Sequence, residues 1–240
     1  MGKGSGSNRK FLAARWCATA LVALAGVLTG CQNIQGSSPQ ALVRVIDASY
    51  NAPAIDVKVG TTLIATNIGA GTIANYADLP PQMATVYVYP TGKTTPLTSV
   101  AGNFAGNTQH SLFLTDSGAT FAATILTDQI VAPPAGYFSV RILQQALTTG
   151  AVDVYFVPGT STLAGTKPLV SDVAAGTVSG YINVPFGTYT VDVTPAGDIK
   201  SPYISSSLTF ATGAVRTLLI MDAQLTTNPP VTVVIGNDAN

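Results

Sequence analysis

Few side chains in this sequence can do chemistry: one histidine, His110, two cysteines, Cys17 and Cys31, and eleven aspartates with no glutamate. A catalytic triad needs a nucleophile, a base and an orienting acid brought together. His110, in NTQHSLFLTD, has no such company, because the chain contains no G-x-S-x-G elbow and no second histidine to build a zinc site. Asp56 and Asp153 are the most tempting acidic pair, kept in the matched settings AIDV and AVDV. A carboxylate there could bind Ca²⁺, but a hard cation takes six to eight oxygens, and Asp47 and Asn51 near Asp56 have no counterparts near Asp153. The expectation is an aspartate accepting backbone N–H groups at a strand edge or turn. No catalytic residue, cofactor or metal ligand is assigned, and the chain reads as a protein that is not an enzyme.

Cys31 is different. Residues 1–15 carry Lys3, Arg9, Lys10 and Arg15 without an acid, and an apolar run from Trp16 to Leu28 follows. That is the layout of a secretory signal. Thirteen helical residues rise only about 20 Å against a hydrocarbon core of about 30 Å, too short for a permanent span. Leu28-Thr29-Gly30-Cys31 resembles the lipobox of bacterial lipoproteins. The resemblance implies a diacylglyceryl group on the Cys31 sulfur, removal of residues 1–30, and acylation of the new amino terminus. One acyl chain holds weakly and several hold stably, so Cys31 reads as a palmitate-type membrane anchor. Cys17 lies inside the segment to be removed and is no disulfide partner. Gln32 after the cysteine, rather than Asp, resembles the pattern sorted to the cell outer membrane in a Gram-negative host. QNIQGSSPQ then reads as a flexible tether, giving a signal peptide at 1–30 and a lipidated tether at 31–41.

From Cys31 to Asn240 seven cations stand against eleven aspartates, a net of −4. Nucleic acid would call for a basic stripe to neutralise phosphates, and none exists. Only 9% of all residues are charged; Thr and Val abound and Gly and Pro punctuate the chain at short intervals, so the expectation is all-β.

The sequence repeats itself. VRVIDASYNAPAIDVKV at 43–59 aligns with VRILQQALTTGAVDVYF at 140–156 at an offset of 97, matching Arg44 to Arg141 and Asp56 to Asp153. GTIANYADLP at 71–80 and TVYVYPTG at 85–92 match GTVSGYINVP and TVDVTPAG at an offset of 105, pairing Tyr76 with Tyr181. Phe104–Asp116 matches Phe210–Asp222 at 106, which pairs His110 with Arg216 and predicts an exposed strand position for both. The change of offset places an insertion of about eight residues near PGTSTLAGTKP, read as a lengthened loop. The junction between copies falls at QIVAPPAG.

Strands are predicted in the first copy at 42–48, 54–59, 62–66, 71–78, 84–90, 96–104, 107–115 and 120–127. Alternation, as in TYTVDVTP, predicts one face in the core and one in water. The fold expected is two tandem antiparallel β-sandwich domains, immunoglobulin-like or transthyretin-like, at 42–130 and 137–238.

The same residues resemble the bacterial domain of unknown function 4397 (DUF4397), whose opening reads close to V-R-V-V-H-A-S-P-D-A-P-A-V-D-V-Y-V. GTVSGYINVPFGTY resembles its second signature, with a central Tyr and a Pro-x-Gly-x-Tyr run. Where that pattern carries His, copy one has Asp47 and copy two is read as Leu143. The resemblance implies an exported or surface protein with no reaction assigned.

The functional expectation is a lipid-anchored, non-catalytic envelope protein that presents two β-sandwich domains to a protein or glycan ligand outside the cytoplasmic membrane. A structural envelope component, or an exported hydrolase using aspartates, are the alternatives. Partners are the membrane, through Cys31, and an envelope or extracellular ligand; nucleic acid is not one.

Overall fold

The computed structural model describes residues 39–117, 120–200, 202–223 and 230–238; the signal segment and Cys31 lie outside them. Eighteen strands follow one another as β1 (Ala41–Asp47), β2 (Ile55–Val59), β3 (Thr62–Ile68), β4 (Thr72–Ile73), β5 (Ala77–Leu79), β6 (Gln82–Pro90), β7 (Thr98–Phe104), β8 (Gln109–Ser117), β9 (Thr120–Thr127), β10 (Tyr137–Gln145), β11 (Val152–Pro158), β12 (Val170–Val173), β13 (Thr177–Val178), β14 (Ile182–Pro185), β15 (Gly187–Pro195), β16 (Ile204–Phe210), β17 (Val215–Asp222) and β18 (Val231–Asn237). Among the described residues the only helical turn is a 3₁₀ turn at Leu163–Gly165, inside the loop read as an insertion. The single strand expected at 71–78 is two short ones, interrupted at 74–76.

Four sheets result, in two matched pairs. The first half has an inner sheet β4-β1-β8-β9, with β5 beside β1, and an outer sheet β3-β2-β6-β7. The second half repeats the orders as β13-β10-β17-β18, with β14 beside β10, and β12-β11-β15-β16. Pairing is antiparallel except at the heart of each inner sheet, where β1 runs parallel to β8 and β10 parallel to β17. The wholly antiparallel expectation is corrected there: the chain leaves the inner sheet after its first strand, builds the outer sheet, and re-enters beside it in the same direction.

Each sandwich has its own dry interior. Val43, Val45, Ile55, Val57, Val86, Val88, Leu112 and Leu114 fill the first, and Val140, Ile142, Val154, Phe156, Val191, Val193, Leu218 and Ile220 the second. A third apolar cluster joins them: Ile46 on β1 and Ala48 just after it, Phe113 on β8, Leu143 on β10, and Leu219 and Met221 on β17. These are the residues that alternate with the core residues of the same strands, so the inner sheets are buried on both faces. The reading of one wet face is corrected for them. The signal is in the sequence: β17 carries LLIM without a break, as strands buried on both faces do.

The halves differ at one edge. Gly102 on β7 lies against β9 so closely that a Cβ there would sit 2.4 Å from Ile125 Cδ1 and 3.1 Å from the Phe104 ring. Gly102→Ala is therefore expected to cost about 1–3 kcal/mol by overpacking. Combining it with Ile125→Val, which removes that methyl, should leave the double variant more stable in urea than the sum of the two single losses; strict additivity would contradict this packing.

Candidate functional site

Charged residues are costly inside a protein unless paired and hydrogen-bonded, so buried ones mark where a fold is constrained. Arg44 on β1 and Arg141 on β10 are each 2% exposed, and both project from the inner-sheet face turned toward the other sandwich. Two aspartates meet them: Asp128, directly after β9, and Asp238, directly after β18. Their backbone N–H groups extend the ladders by donating to Gln109 and Val215. Each arginine takes the aspartate of the opposite sandwich. Arg44 Nη2 lies 2.5 Å from Asp238 Oδ1, and Arg141 Nη2 lies 2.8 Å from Asp128 Oδ1. Longer contacts close the square, Arg44 Nε to Asp128 at 3.9 Å and Arg141 to Asp238 at 3.7 Å.

The surrounding polar groups are matched as well. Ser111 donates to Asp128 at 2.7 Å and accepts from Arg44 Nε at 2.8 Å. Thr217, its counterpart, donates to Asp238 and accepts from Arg141 Nη2 at 3.0 Å. Tyr76 and Tyr181 each donate a hydroxyl to an aspartate of their own sandwich, Asp128 and Asp238, at 2.6 Å. Their rings lie under the guanidinium groups at 4.7 Å for Arg44 and 4.9 Å for Arg141, a stacking worth about 0.5–2 kcal/mol when desolvated. Burial alone would lower Arg44, but Asp238, Tyr76 and Asp128 together outweigh it and hold the guanidinium above its ordinary value. Burial, with the nearby carboxylates, pushes both tyrosine hydroxyls well up, so they stay protonated donors. Two guanidinium and two carboxylate groups leave the cluster neutral.

Gly236 completes the contact, since a Cβ there would sit 2.7 Å from Ile73 Cγ2 and 3.1 Å from Arg44 Nη1. The ladders put Leu126 at the matching place in the first half. Gly236 faces Ile73, whose counterpart in the second half by the offset of 105 is the smaller Val178.

Three further buried acids, Asp116, Asp222 and Asp47, hold loops. Asp116 at the end of β8 accepts the backbone N–H groups of Tyr50 and Asn51, and Asp222 at the end of β17 accepts those of Leu147 and Thr148. Asp47 Oδ1 accepts Ser49 N–H at 3.0 Å, and Gln144 Oε1 accepts Ala146 N–H at 2.7 Å. Gln144, not Leu143, is thus the counterpart of Asp47, as the offset of 97 requires; Leu143 points into the joint between the sandwiches.

Asp56 accepts N–H groups from Asn67 and Gly92, and Asp153 accepts them from Asp172 and Gly197. All four donors have positive φ, so each carboxylate fastens two turns. The Asn67 and Gly92 hydrogen bonds hold Asp56 below the usual carboxylate range. Among the described residues no three His, Cys, Asp or Glu side chains are grouped to hold a metal ion. His110 is 7% exposed, which corrects the exposed position expected for it. It lies on the core face of β8, edge-on to Phe104 at 5.4 Å, with Nε2 2.8 Å from Thr108 Oγ1. Burial lowers its pKa.

Sequence reasoning paired Arg44 with Arg141 and Tyr76 with Tyr181, but missed Asp128 and Asp238. These stand 110 apart, beyond the last aligned segment. A lone acid at the end of an apolar strand was their signal.

Fold and cluster together define a protein of two like β-sandwiches clamped face to face by exchanged ion pairs. Residues 41–155 match the profile of the domain of unknown function DUF4397. No curated protein matches the chain. Among solved structures, the Bacillus anthracis TIE protein aligns at 9% identity and a TM-score of 0.25, over 83% of this chain and 44% of that one, so this chain spans under half its length. A structure described as α-glucan binding by a streptococcal virulence factor aligns at 11% identity and 0.25, over 80% of this chain and 98% of that one. Likenesses at such scores say nothing of what this chain binds.

Removing one charge leaves its partner buried and unpaired. Asp238→Ala is expected to cost about 3–5 kcal/mol in urea unfolding. Arg44→Met combined with Asp238→Ala should cost less than the two single losses added; a sum or more would contradict a coupled pair.

Asp47 gives a pH test. Burial, with a smaller contribution from Asp116, raises its carboxyl above the ordinary range against the opposing Ser49 hydrogen bonds. A raised folded pKa means stability present at acid pH and lost as pH rises through that value. Asp47→Asn, which supplies the amide oxygen that Gln144 provides in the other half, should gain in urea midpoint relative to wild type as pH rises above the ordinary carboxylate value of about 4. A difference independent of pH would contradict it.

Proposed function

We propose that this is a lipid-anchored, non-catalytic cell-envelope protein that presents two β-sandwich modules for binding or adhesion, the second being a further copy of the first. The observation that carries the reading is how the conspicuous acids and arginines are used. The Arg44, Arg141, Asp128 and Asp238 set is closed on itself, and Asp56, Asp116, Asp153 and Asp222 are engaged by backbone N–H groups. Groups so engaged fix shape, and shape is what a binding module offers. The Cys31 lipobox reading supplies the address: export, removal of residues 1–30, and fatty acylation, with sorting to the outer membrane of a Gram-negative host following from Gln32. Several acyl chains on one residue make such anchoring stable.

Growth with labelled palmitate is the test. Wild type should carry label and partition with membranes, and Cys31→Ser should lose both. Labelled Cys31→Ser, or an unlabelled wild type that is freely soluble, would overturn the anchor.

A further inference from the structure

Residues 31–38 join the sandwiches at Pro39, and the strands fix which end of the molecule that is. β1 and β17 face each other at the joint and run the same way. Arg44 reaches Thr217, while Gly71, whose N–H donates to the Asp47 carbonyl, packs so close to Met221 that a Cβ would sit 3.3 Å from its Sδ. β8 is parallel to β1 and β10 to β17, so all four inner strands start at one end. Pro39 enters there: the Gln40 carbonyl accepts the Asn107 N–H just before β8, and Pro39 lies against Gly106. The linker 128–136 lies there too, beside the turn at Phe186, whose N–H donates to the Gly136 carbonyl.

The most exposed apolar side chains gather toward this end. Five of the described large ones are half exposed or more: Ile130 and Val131 in the linker, Phe186 beside it, Met83 on the second residue of β6, and Leu63 just past the turn from β2 to β3. β6 starts at this end because β5 before it runs antiparallel to β1 and places Leu79 beside Ala41, and β2 runs toward it, antiparallel to β6. At the other end Tyr50, Leu97, Leu147 and Ile199 are each at most 39% exposed. Carboxylates show the opposite bias. Asp47, Asp116 and Asp222 stand at or next to the far ends of β1, β8 and β17, and Asp56 and Asp153 are the second residues of β2 and β11, which begin there. At the Pro39 end Asp128 and Asp238 are closed on Arg141 and Arg44, which leaves Asp78 as the one exposed aspartate among the described residues on this side. Lys167, in the loop between β11 and β12, and Arg216, on the second residue of β17, add positive charge to it.

We propose that the Pro39 end is a lipid-contact surface that seats both sandwiches on the headgroups of a bilayer. Binding at such an interface grows with the apolar area inserted and with the attraction of cations to anionic lipid, and aromatic rings settle at headgroup level. Phe186, Ile130 and Val131 enter the headgroup layer, Lys167 and Arg216 meet lipid phosphates, and the far-end carboxylates stay in water. Cys31 stands eight residues before Pro39, a reach of at most about 30 Å, which keeps that end near the surface its acyl chains enter. The loops after β1 and β10, fastened by Asp116 and Asp222, then face away from the membrane, where a ligand in solution reaches them.

This contact rests on the lipid-anchor reading for its delivery, and the test separates the two. Trp16 is the only tryptophan of the chain, so the full chain is made with Trp16→Phe and one new tryptophan: Phe186→Trp, Tyr137→Trp or, as the far-end reference, Lys93→Trp. Each is reconstituted in vesicles of phosphatidylethanolamine and phosphatidylglycerol with and without brominated acyl chains, which quench tryptophan on contact. Quenching is expected to be several-fold stronger for Phe186→Trp and Tyr137→Trp than for Lys93→Trp. Adding Ile130→Asp and Val131→Asp, both at exposed positions, should bring Tyr137→Trp down toward the reference with an unchanged circular dichroism spectrum; indifference to the two aspartates would contradict the contact. Quenching of Lys93→Trp equal to or above that of Phe186→Trp, in a chain that carries palmitate, overturns the contact and leaves the anchor. A chain without palmitate that still floats with the vesicles and shows the stronger quenching at Phe186→Trp supports the contact and removes the anchor. A chain that neither carries palmitate nor floats overturns both.

Discussion

Two exchanged ion pairs, buried at the joint between the sandwiches, constrain this molecule more than any other interaction. Arg44 and Arg141 are each buried on a sheet face that neither sandwich covers alone, and each finds its carboxylate in the other sandwich. A guanidinium in such a place without its partner would carry an uncompensated desolvation cost of several kcal/mol. The sandwiches are therefore satisfied only together. Ile46, Phe113, Leu143 and Leu219 supply the apolar area around the charges, while the ion pairs fix the register, because planar forks and carboxylates tolerate little misplacement.

The joint has the logic of a two-fold dimer made within one chain. Arginine of the first half meets aspartate of the second and the reverse, the mark of an isologous interface. Matched Ser111 and Thr217, Tyr76 and Tyr181, Asp128 and Asp238 repeat that relation. It breaks at two places. Gly236 opposite Ile73 lets β18 approach Arg44, and Leu208 in place of Gly102 keeps the second sandwich open at its edge. The first lies on β18 at the joint and the second on β16 of the outer sheet, so the two halves match at the ion pairs and differ around them.

Much of the fold could be read from residue order. The all-β class with two sandwich-like units was legible, as were most strands of the first half within a residue or two, because period-two alternation and Gly/Pro punctuation are local signals. What escaped is long-range. Parallel pairing of β1 with β8 depends on where the chain returns, which no local pattern states. Arg44 and Arg141 were legible as a pair, but nothing nearby in sequence names aspartates at strand ends on the far side of another sheet. His110 was misplaced because its match to Arg216 was weighed above the alternation that puts it in phase with Leu112 and Leu114, and Leu143 stood for Gln144 by one residue against the offset of 97. Of the proposed function, the Cys31 reading came from residue order alone, whereas the closed set of Arg44, Arg141, Asp128 and Asp238 needed coordinates.

Differential scanning calorimetry of the full chain tests the clamp most directly. If the exchanged ion pairs make one cooperative unit of both sandwiches, wild type melts in a single transition whose calorimetric and van't Hoff enthalpies agree, and Asp128→Ala with Asp238→Ala splits it in two. Two separate transitions in wild type, one for each sandwich, would contradict the account.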